Sequence, residues 1–261
     1  MRGFDRAADI YDQTRGFPPG VGQRVAESLV NFVGLTPDDR ALEIGIGTGR
    51  IGKPLAAILG SNHHLVGIDL SRRMMDQLTA TAPPGVRPPA LVEADALSIP
   101  FPARTFRAIV VVHVLHLIRE WETLLAEVSR VRALGGMFVG GWNDHPPESS
   151  AERIGQKFRE IAAARGVPIK RQGLAGFAEL APHIPGARAQ TVVAAEWTVE
   201  RAPSLALQSI AERHFSSSWM IPDDIFPAVL ADVQAWAQSE WRDLDCAIAE
   251  SRQFKWMKIE W

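Results

Sequence analysis

The chain has 261 residues, 46% of them hydrophobic, a formal net charge of −2 and a single cysteine, Cys246. That is enough apolar material for a buried core in one elaborated domain or a domain plus an appendage, while the near-neutral charge offers no cationic field to hold nucleic acid by counterion release. One cysteine excludes an intrachain disulfide and a four-thiolate zinc site. The longest apolar run, residues 108–118, contains His113 and His116 and falls short of the roughly 20 residues a membrane helix requires. The N-terminus has no uninterrupted apolar stretch of signal-peptide kind, so the expectation is a soluble, cytoplasmic protein without membrane or nucleic-acid partners.

In chain order, Pro19 to Val33 reads as an amphipathic helix with Val21, Val25, Leu29 and Phe32 on one face. Apolar runs then alternate with helical patterns through about residue 145, which predicts parallel βαβ units. The strands are expected at Ala41–Ile44, Leu65–Ile68, Ala90–Glu93, Ala108–Val112 and Met137–Gly140, each apolar on both faces as buried parallel strands are. The helix after the first strand contains Pro54 and so should start near Gly52, where proline falls in the first turn. Ser71 is a natural N-cap for a helix reaching Ala80, stopped by Pro83-Pro84. Trp121 to Val131 reads as a helix closed by Gly135-Gly136.

Past residue 145 helical segments near 149–165, 174–181, 203–213 and 223–239 surround a strand-like Ala189–Val199, and the chain closes on Phe254–Trp261. Two further strands would complete the sheet, with a helical cover between them. The domain reading is an N-terminal segment and helix over 1–35, a ligand-binding core over 36–145, and a helical cover with the last two strands over 146–261.

The chemistry concentrates in the first half. Leu42-Glu43-Ile44-Gly45-Ile46-Gly47-Thr48-Gly49 stands where the first strand hands over to a helix, and its glycines let the backbone turn sharply and approach a ligand. Glycine clusters also make ordinary turns, so this signal gains weight only from its company. Asp69 ends the second strand, where a doubly wound fold presents a carboxylate to two ribose hydroxyls. Asp95 follows the third strand. Arg50 occupies the position where a dinucleotide fingerprint needs a small residue, and Glu43 would repel a pyrophosphate but favour a ligand ammonium. An adenosyl ligand with an amino-acid tail suits the pattern better than a dinucleotide.

The order Glu43-x-Gly45-x-Gly47-x-Gly49, Val66-Gly67-Ile68-Asp69-Leu70-Ser71, Glu93-Ala94-Asp95-Ala96 and Leu134-Gly135-Gly136 resembles the class I S-adenosylmethionine-dependent methyltransferases. Asp95 to Ile118 is most similar to the branch that holds the ubiquinone and menaquinone methyltransferases, and the likeness covers about residues 5 to 142. The resemblance implies an α/β fold, a doubly wound Rossmann-like seven-stranded sheet with added helical cover, and S-adenosylmethionine as cofactor. It also implies that Gly45, Gly47 and Gly49 lie under the methionine moiety with Glu43 near its amino group. By the same resemblance Asp69, next to Leu70, takes the ribose hydroxyls, Asp95 and Ala96 meet the adenine, and His113 lines the donor from the other side. Tyr11 and Arg15 resemble the family's Tyr-x-x-x-Arg segment that closes over the methionine end. Leu134 replaces the family's frequent proline before the paired glycines. His113-Val114-Leu115-His116 stands where enzymes that methylate base amino groups carry Asn-Pro-Pro-Tyr, which argues against a nucleic-acid acceptor.

Methyl transfer from a sulfonium needs a base only when the acceptor must lose a proton. His113, His116, Trp142, Asp144 and His145 lie at the right strand ends, with His116 the candidate base if one is used; it reads more readily as a residue that caps or packs the following helix. His113 and His116 could share a helical face, yet a catalytic zinc wants three protein ligands and no acid accompanies them, so no metal is expected. Trp219, Trp236 and Trp241 could shape an acceptor pocket or pack a helical cap. The expected function is methyl transfer to a small-molecule acceptor of unspecified atom type. The rivals are an NAD-dependent oxidoreductase on a Rossmann-like fold and a non-catalytic S-adenosylmethionine-binding module.

Overall fold

A computed structural model of the chain describes residues 16–169, 173–214 and 216–261. Tyr11 and Arg15 lie outside the described residues. The strands are β1 (Arg40–Ile44), β2 (His64–Asp69), β3 (Ala90–Glu93), β4 (Phe106–Val112), β5 (Arg132–Asp144), β6 (Arg188–Arg201) and β7 (Ile248–Glu260). They join into one seven-stranded sheet in the order β3-β2-β1-β4-β5-β7-β6. The pairs β1/β2, β1/β4, β2/β3 and β4/β5 are parallel. The chain therefore winds outward from β1 to β3 on one side and from β4 to β5 on the other. The winding reverses between β1 and β4, where a doubly wound sheet opens a crevice at its carboxyl edge.

The helices of the first half follow from their local chemistry. Helix α1 (Val21–Val33) buries Val21, Val25, Leu29 and Val33 and stops at Gly34, whose φ of 65° closes the last turn in the left-handed region. Val33 rather than Phe32 completes the buried stripe; the Phe32 ring instead carries the Lys258 ammonium 4.9 Å from its centroid. Helix α2 (Gly52–Leu59) begins at the expected glycine and holds Pro54 in its first turn. Helix α3 (Arg72–Ala80) is capped by Ser71, whose side chain accepts the Met74 N–H at 3.3 Å. Helix α4 (Trp121–Val131) has its expected bounds, but the glycine pair does not close it. The chain passes straight into β5, and Gly135-Gly136 falls in an irregularity where two steps of β4, from Phe106 to Ala108, are matched by five steps of β5, from Arg132 to Met137. Gly135 has a φ of 68°, and a Cβ on Gly136 would stand 2.9 Å from the Ala133 carbonyl, so the pair relieves a tight bend inside a strand.

The molecule divides into two compact units, neither continuous in sequence. The first takes the described residues up to Asn143, those of the stretch 171–195, and Phe254–Trp261; the second takes those of 144–170 and Glu196–Gln253. In the first unit Leu42, Ile44, Ile68, Ile109 and Phe138 form a core at 1% exposure or less. The predicted helix near 174–181 is a 3-10 segment, Phe177–His183, consistent with Pro182, which cannot donate to an α-helical ladder. Its Phe177 ring packs edge-on to Phe138, with centroids 4.9 Å apart, over the bare backbone of Gly140.

The second unit holds the later helices together with parts of β6 and β7. Helix α5 (Ser150–Ala164) offers Ile154, Phe158 and Ala162, and helix α8 (Phe226–Glu240) offers Val229, Val233 and Ala237, two stripes with a four-residue step. Leu207 and Ile210 of α6 (Pro203–Ala211) join them, and Arg165 clamps Asp232 at 2.6 and 2.9 Å beside the apolar seam. The short α7 (Ser216–Trp219) precedes α8. Trp236 and Trp241 pack edge to face at 5.6 Å, as a cap would have them.

Gly140 gives the packing a direct test. A Cβ there would lie 2.0 Å from the Phe177 ring. Gly140→Val should cost roughly 1–3 kcal/mol through overpacking, read as a lower urea midpoint. A midpoint equal to the parent's would show that Phe177 moves aside freely.

Candidate active site

The glycine loop between β1 and α2 is built on left-handed backbone. Gly45, Gly47 and Gly49 have φ of 70°, 53° and 80°, a conformation that costs glycine little and other residues more. Its position is pinned from three sides. A Cβ on Gly45 would meet Val114 at 2.2 Å, so the loop after β1 lies directly against the loop after β4. Gly67 of β2 makes room for Ile46, whose Cδ1 would stand 2.1 Å from a Cβ there. The Asp69 carboxylate then ties the loop to the end of β2: Oδ2 accepts the Gly47 N–H and Oδ1 accepts the Ser71 N–H, both at 2.8 Å.

Glu43 sits on β1, register partner of Gly67 on one side and Val110 on the other, and is 3% exposed. Its Oε2 has no hydrogen-bond partner among the described residues, and it lies 3.0 Å from where a Cβ of Gly52 would be, against the start of α2. Burial first, and then the Asp69 carboxylate, push its pKa well above the ordinary 4.5, with the Gly52 N–H acting the other way. The carboxyl is thus held toward its neutral form.

The third acid closes the same edge. Asp69 is the register partner of Glu93, and its carbonyl accepts the Ala94 N–H at 3.0 Å, which places the β3 exit beside the β2 exit. Asp95 is exposed and takes the Leu97 N–H at 2.9 Å, while Ala96 is half-buried. Leu70, next to Asp69, leaves an apolar side chain 46% exposed at this rim. Glu43, Gly45, Gly47, Gly49, Asp69, Leu70, Asp95 and Ala96 therefore stand on consecutive strand ends of one sheet edge.

His113 leaves β4 with a φ of 55°, a left-handed conformation uncommon outside glycine. His116 lies in the 3-10 turn Leu115–Leu117, and its carbonyl accepts the Gly173 N–H at 3.2 Å. His145 belongs to the second unit, where its Nδ1 faces the Arg252 Nη1. Burial and then the Arg252 charge lower its pKa to about 4, which makes it a weak base near neutral pH. Among the described residues no cluster of three or more His, Cys, Asp or Glu could hold a metal ion.

Arg50, read from sequence only as a departure from the dinucleotide pattern, has a structural task. Its Nη2 donates to Asn143 Oδ1 at 3.0 Å and its guanidinium lies 3.8 Å from the Phe17 ring centroid. Phe17 in turn meets Phe254 edge-on at 5.3 Å. The glycine loop is thereby fastened to the end of β5. The large residue at that position was the available signal; its partners were not readable because they lie far apart in sequence.

Against this geometry, residues 41–136 match the family model described as a methyltransferase domain. The 2-phytyl-1,4-naphtoquinone methyltransferase of Trichormus variabilis is 28% identical over 131 residues, 49% of this chain and 57% of the relative. The demethylmenaquinone methyltransferase of Renibacterium salmoninarum is 29% identical over 144 residues, 55% of this chain and 58% of the relative. The chain thus matches little more than half the length of these curated relatives. Among solved structures, the YcgJ protein of Bacillus subtilis superposes with a TM-score of 0.58 at 14% identity, covering 90% of this chain and 97% of that one. Phosphoethanolamine N-methyltransferase 2 of Haemonchus contortus, solved with S-adenosylhomocysteine, gives a TM-score of 0.51 at 16% identity, covering 96% of this chain and 56% of that one. These likenesses share the fold. No described helix is long and apolar enough to cross a membrane.

Glu43 makes a stability prediction with a definite sign. Its folded pKa is raised above the unfolded value near 4.5, so the native state binds more protons and stability falls as pH rises above that value. Glu43→Gln should therefore be more stable than the parent at pH 7, and the two should converge below about pH 4.5. Urea titrations at both pH values decide it; parallel pH profiles would mean that Glu43 is ionised in the folded chain.

Proposed function

We propose that the protein is an S-adenosylmethionine-dependent methyltransferase acting on a small-molecule acceptor. The observation that carries this reading is the buried, unpartnered Glu43 Oε2 beside Asp69 at the crevice of a methyltransferase domain. A carboxyl that burial holds toward neutrality would ionise against a ligand ammonium, which is the group an amino-acid tail brings. The residues present fit the cofactor in other respects. The Asp69 carboxylate, which accepts the Gly47 and Ser71 N–H groups, stands at the strand end where ribose hydroxyls would meet it. Leu70 offers exposed apolar surface for one face of the adenine, with Asp95 and Ala96 at its edge. His113 borders the reacting end in this reading; Tyr11 and Arg15, assigned to the cofactor by resemblance, lie outside the described residues.

The bound donor supplies a methyl on a sulfonium, and its departure leaves a neutral thioether. The protein's contribution is therefore positioning: the left-handed glycines bring backbone within reach of the ligand, and Asp69 fixes both the loop and the sugar. For an acceptor that must lose a proton, His116 takes it. The assignment of 36–145 to the donor and 146–261 to acceptor selection belongs to the same reading. The relatives named above act on quinones, so reduced naphthoquinones head the acceptor panel, followed by phenols and amines.

Calorimetric titration should show S-adenosylmethionine and its demethylated product binding and NAD not binding. Asp69→Ala should weaken donor binding at least about tenfold, roughly 1.4 kcal/mol. Binding of NAD in preference to the adenosyl ligands would overturn the reading, and donor binding without transfer to any acceptor would reduce it to a silent module.

His116 carries a separate expectation. Its alanine variant should lose roughly 100- to 10,000-fold in kcat with KM little changed, and the acid limb of the pH profile should disappear. An unaltered profile would return His116 to a packing role.

A further inference from the structure

The second unit holds a buried ionic cluster in which charge is not balanced. The β7 side chains alternate, with Glu250 and Arg252 at 6% and 5% exposure and Ser251 between them exposed. Glu250 is fully committed. One oxygen accepts both the N–H and the Oγ of Ser150 at 2.7 Å, at the first turn of α5, and the other faces the Arg252 Nη2. Burial opposes its charge, but the Ser150 hydrogen bonds and Arg252 hold its carboxyl below the usual range, so it stays ionised. Arg252 spends its other terminal nitrogen on His145, which burial and that same guanidinium keep neutral near pH 7.

Arg201, at the end of β6, brings a second guanidinium to the cluster. β6 and β7 are sheet neighbours. Glu196 meets Gln253 across them, and further along Arg201 lies within electrostatic reach of Arg252 and Glu250. Its side chain is half-buried, and its Nε is fully buried with no hydrogen-bond partner among the described residues. Ser149, 4% exposed and next to Ser150, has an Oγ in the same condition. Other acids act on the rim: Asp144 and Glu152 bear on His145, and Glu152 is paired with Arg159 at 3.2 Å. At the centre, two guanidiniums confront one carboxylate that is already engaged. A guanidinium does not shed its proton at any physiological pH, so the surplus charge and the idle donors call for an anion.

We propose that Arg201, Arg252 and Ser149 form a binding site in the second unit for the oxyanion of a small ligand, a phosphate or carboxylate group. The planar guanidinium forks suit either geometry, and Ser149 adds a hydroxyl donor. Glu250 fixes Arg252 and the start of α5, and so holds the donors in place before the anion arrives. The site is independent of the methyl-donor reading, since every residue in it lies in the second unit.

Thermal unfolding and calorimetry of the full chain test it, with inorganic phosphate and acetate compared against chloride at matched ionic strength. Saturable binding of phosphate, acetate or both is expected, with a rise in unfolding temperature that chloride does not produce; the better ligand identifies the group. Arg201→Gln should bind that anion at least tenfold more weakly, while its unfolding temperature in chloride stays at or above the parent's because a half-buried charge facing Arg252 has gone. Arg201→Lys keeps the charge but loses the fork and should fall between the two, which serves if the glutamine variant does not fold. Equal responses to all three salts, or Arg201→Gln binding like the parent, would overturn the proposal.

Discussion

The Asp69 carboxylate is the constraint on which the rest of the first unit depends. It gathers the Gly47 and Ser71 N–H groups, and so joins the loop after β1 to the turn that starts α3. Those hydrogen bonds hold the glycine loop in a left-handed course, and the loop's shape keeps the Gly45 backbone against Val114 beyond β4. Through its carbonyl the same residue receives the Ala94 N–H and sets the exit of β3. One aspartate at the end of a central strand thereby coordinates three neighbouring strand ends. Crowding a negative charge there raises the cost of ionising Glu43, and the two acids are best understood together.

Most of this half was legible because parallel strands and their helices leave short-range marks. Continuous apolar runs gave β1 to β4 to within two residues, Ser71 and Gly52 gave the helix starts, and the glycine spacing gave the loop. The misreadings have a common origin in contacts distant along the chain. Gly135-Gly136 looked like a helix stop, because the sequence shows a flexible pair but not the Phe106 carbonyl that a Cβ on Gly136 would crowd at 3.0 Å. The turn at Phe177–His183 was legible as helical but not as 3-10. The Arg50 contacts with Phe17 and Asn143 left only the trace of a large side chain in a place that tolerates small ones.

The sequence also showed where acids stand but not which of them is charged. Protonation depends on burial and on neighbours assembled by the fold, and neither has a periodicity. Glu43 and Glu250 are chemically identical and both buried, yet the first is pushed toward neutrality by burial and then by Asp69, while the second is held ionised, against burial, by Ser150 and Arg252. The difference lies in what meets each carboxyl: mainly burial and a second acid at Glu43, hydrogen-bond donors and a guanidinium at Glu250. A motif search reports the same letter at both positions.

That contrast extends to what each unit can do with a buried charge it does not balance. A carboxyl such as Glu43 has an escape: it takes a proton and becomes neutral. Arg201 has no such escape, because its guanidinium remains protonated far above any working pH. Desolvation lowers its pKa without discharging it, and the neighbouring Arg252 makes the position worse rather than better. Such a group must find water, a carboxylate or a ligand, and the one carboxylate deep in its cluster is committed to Ser150 and Arg252. The asymmetry between acids and guanidines thus separates two kinds of buried group, one that can discharge itself by taking a proton and one that cannot.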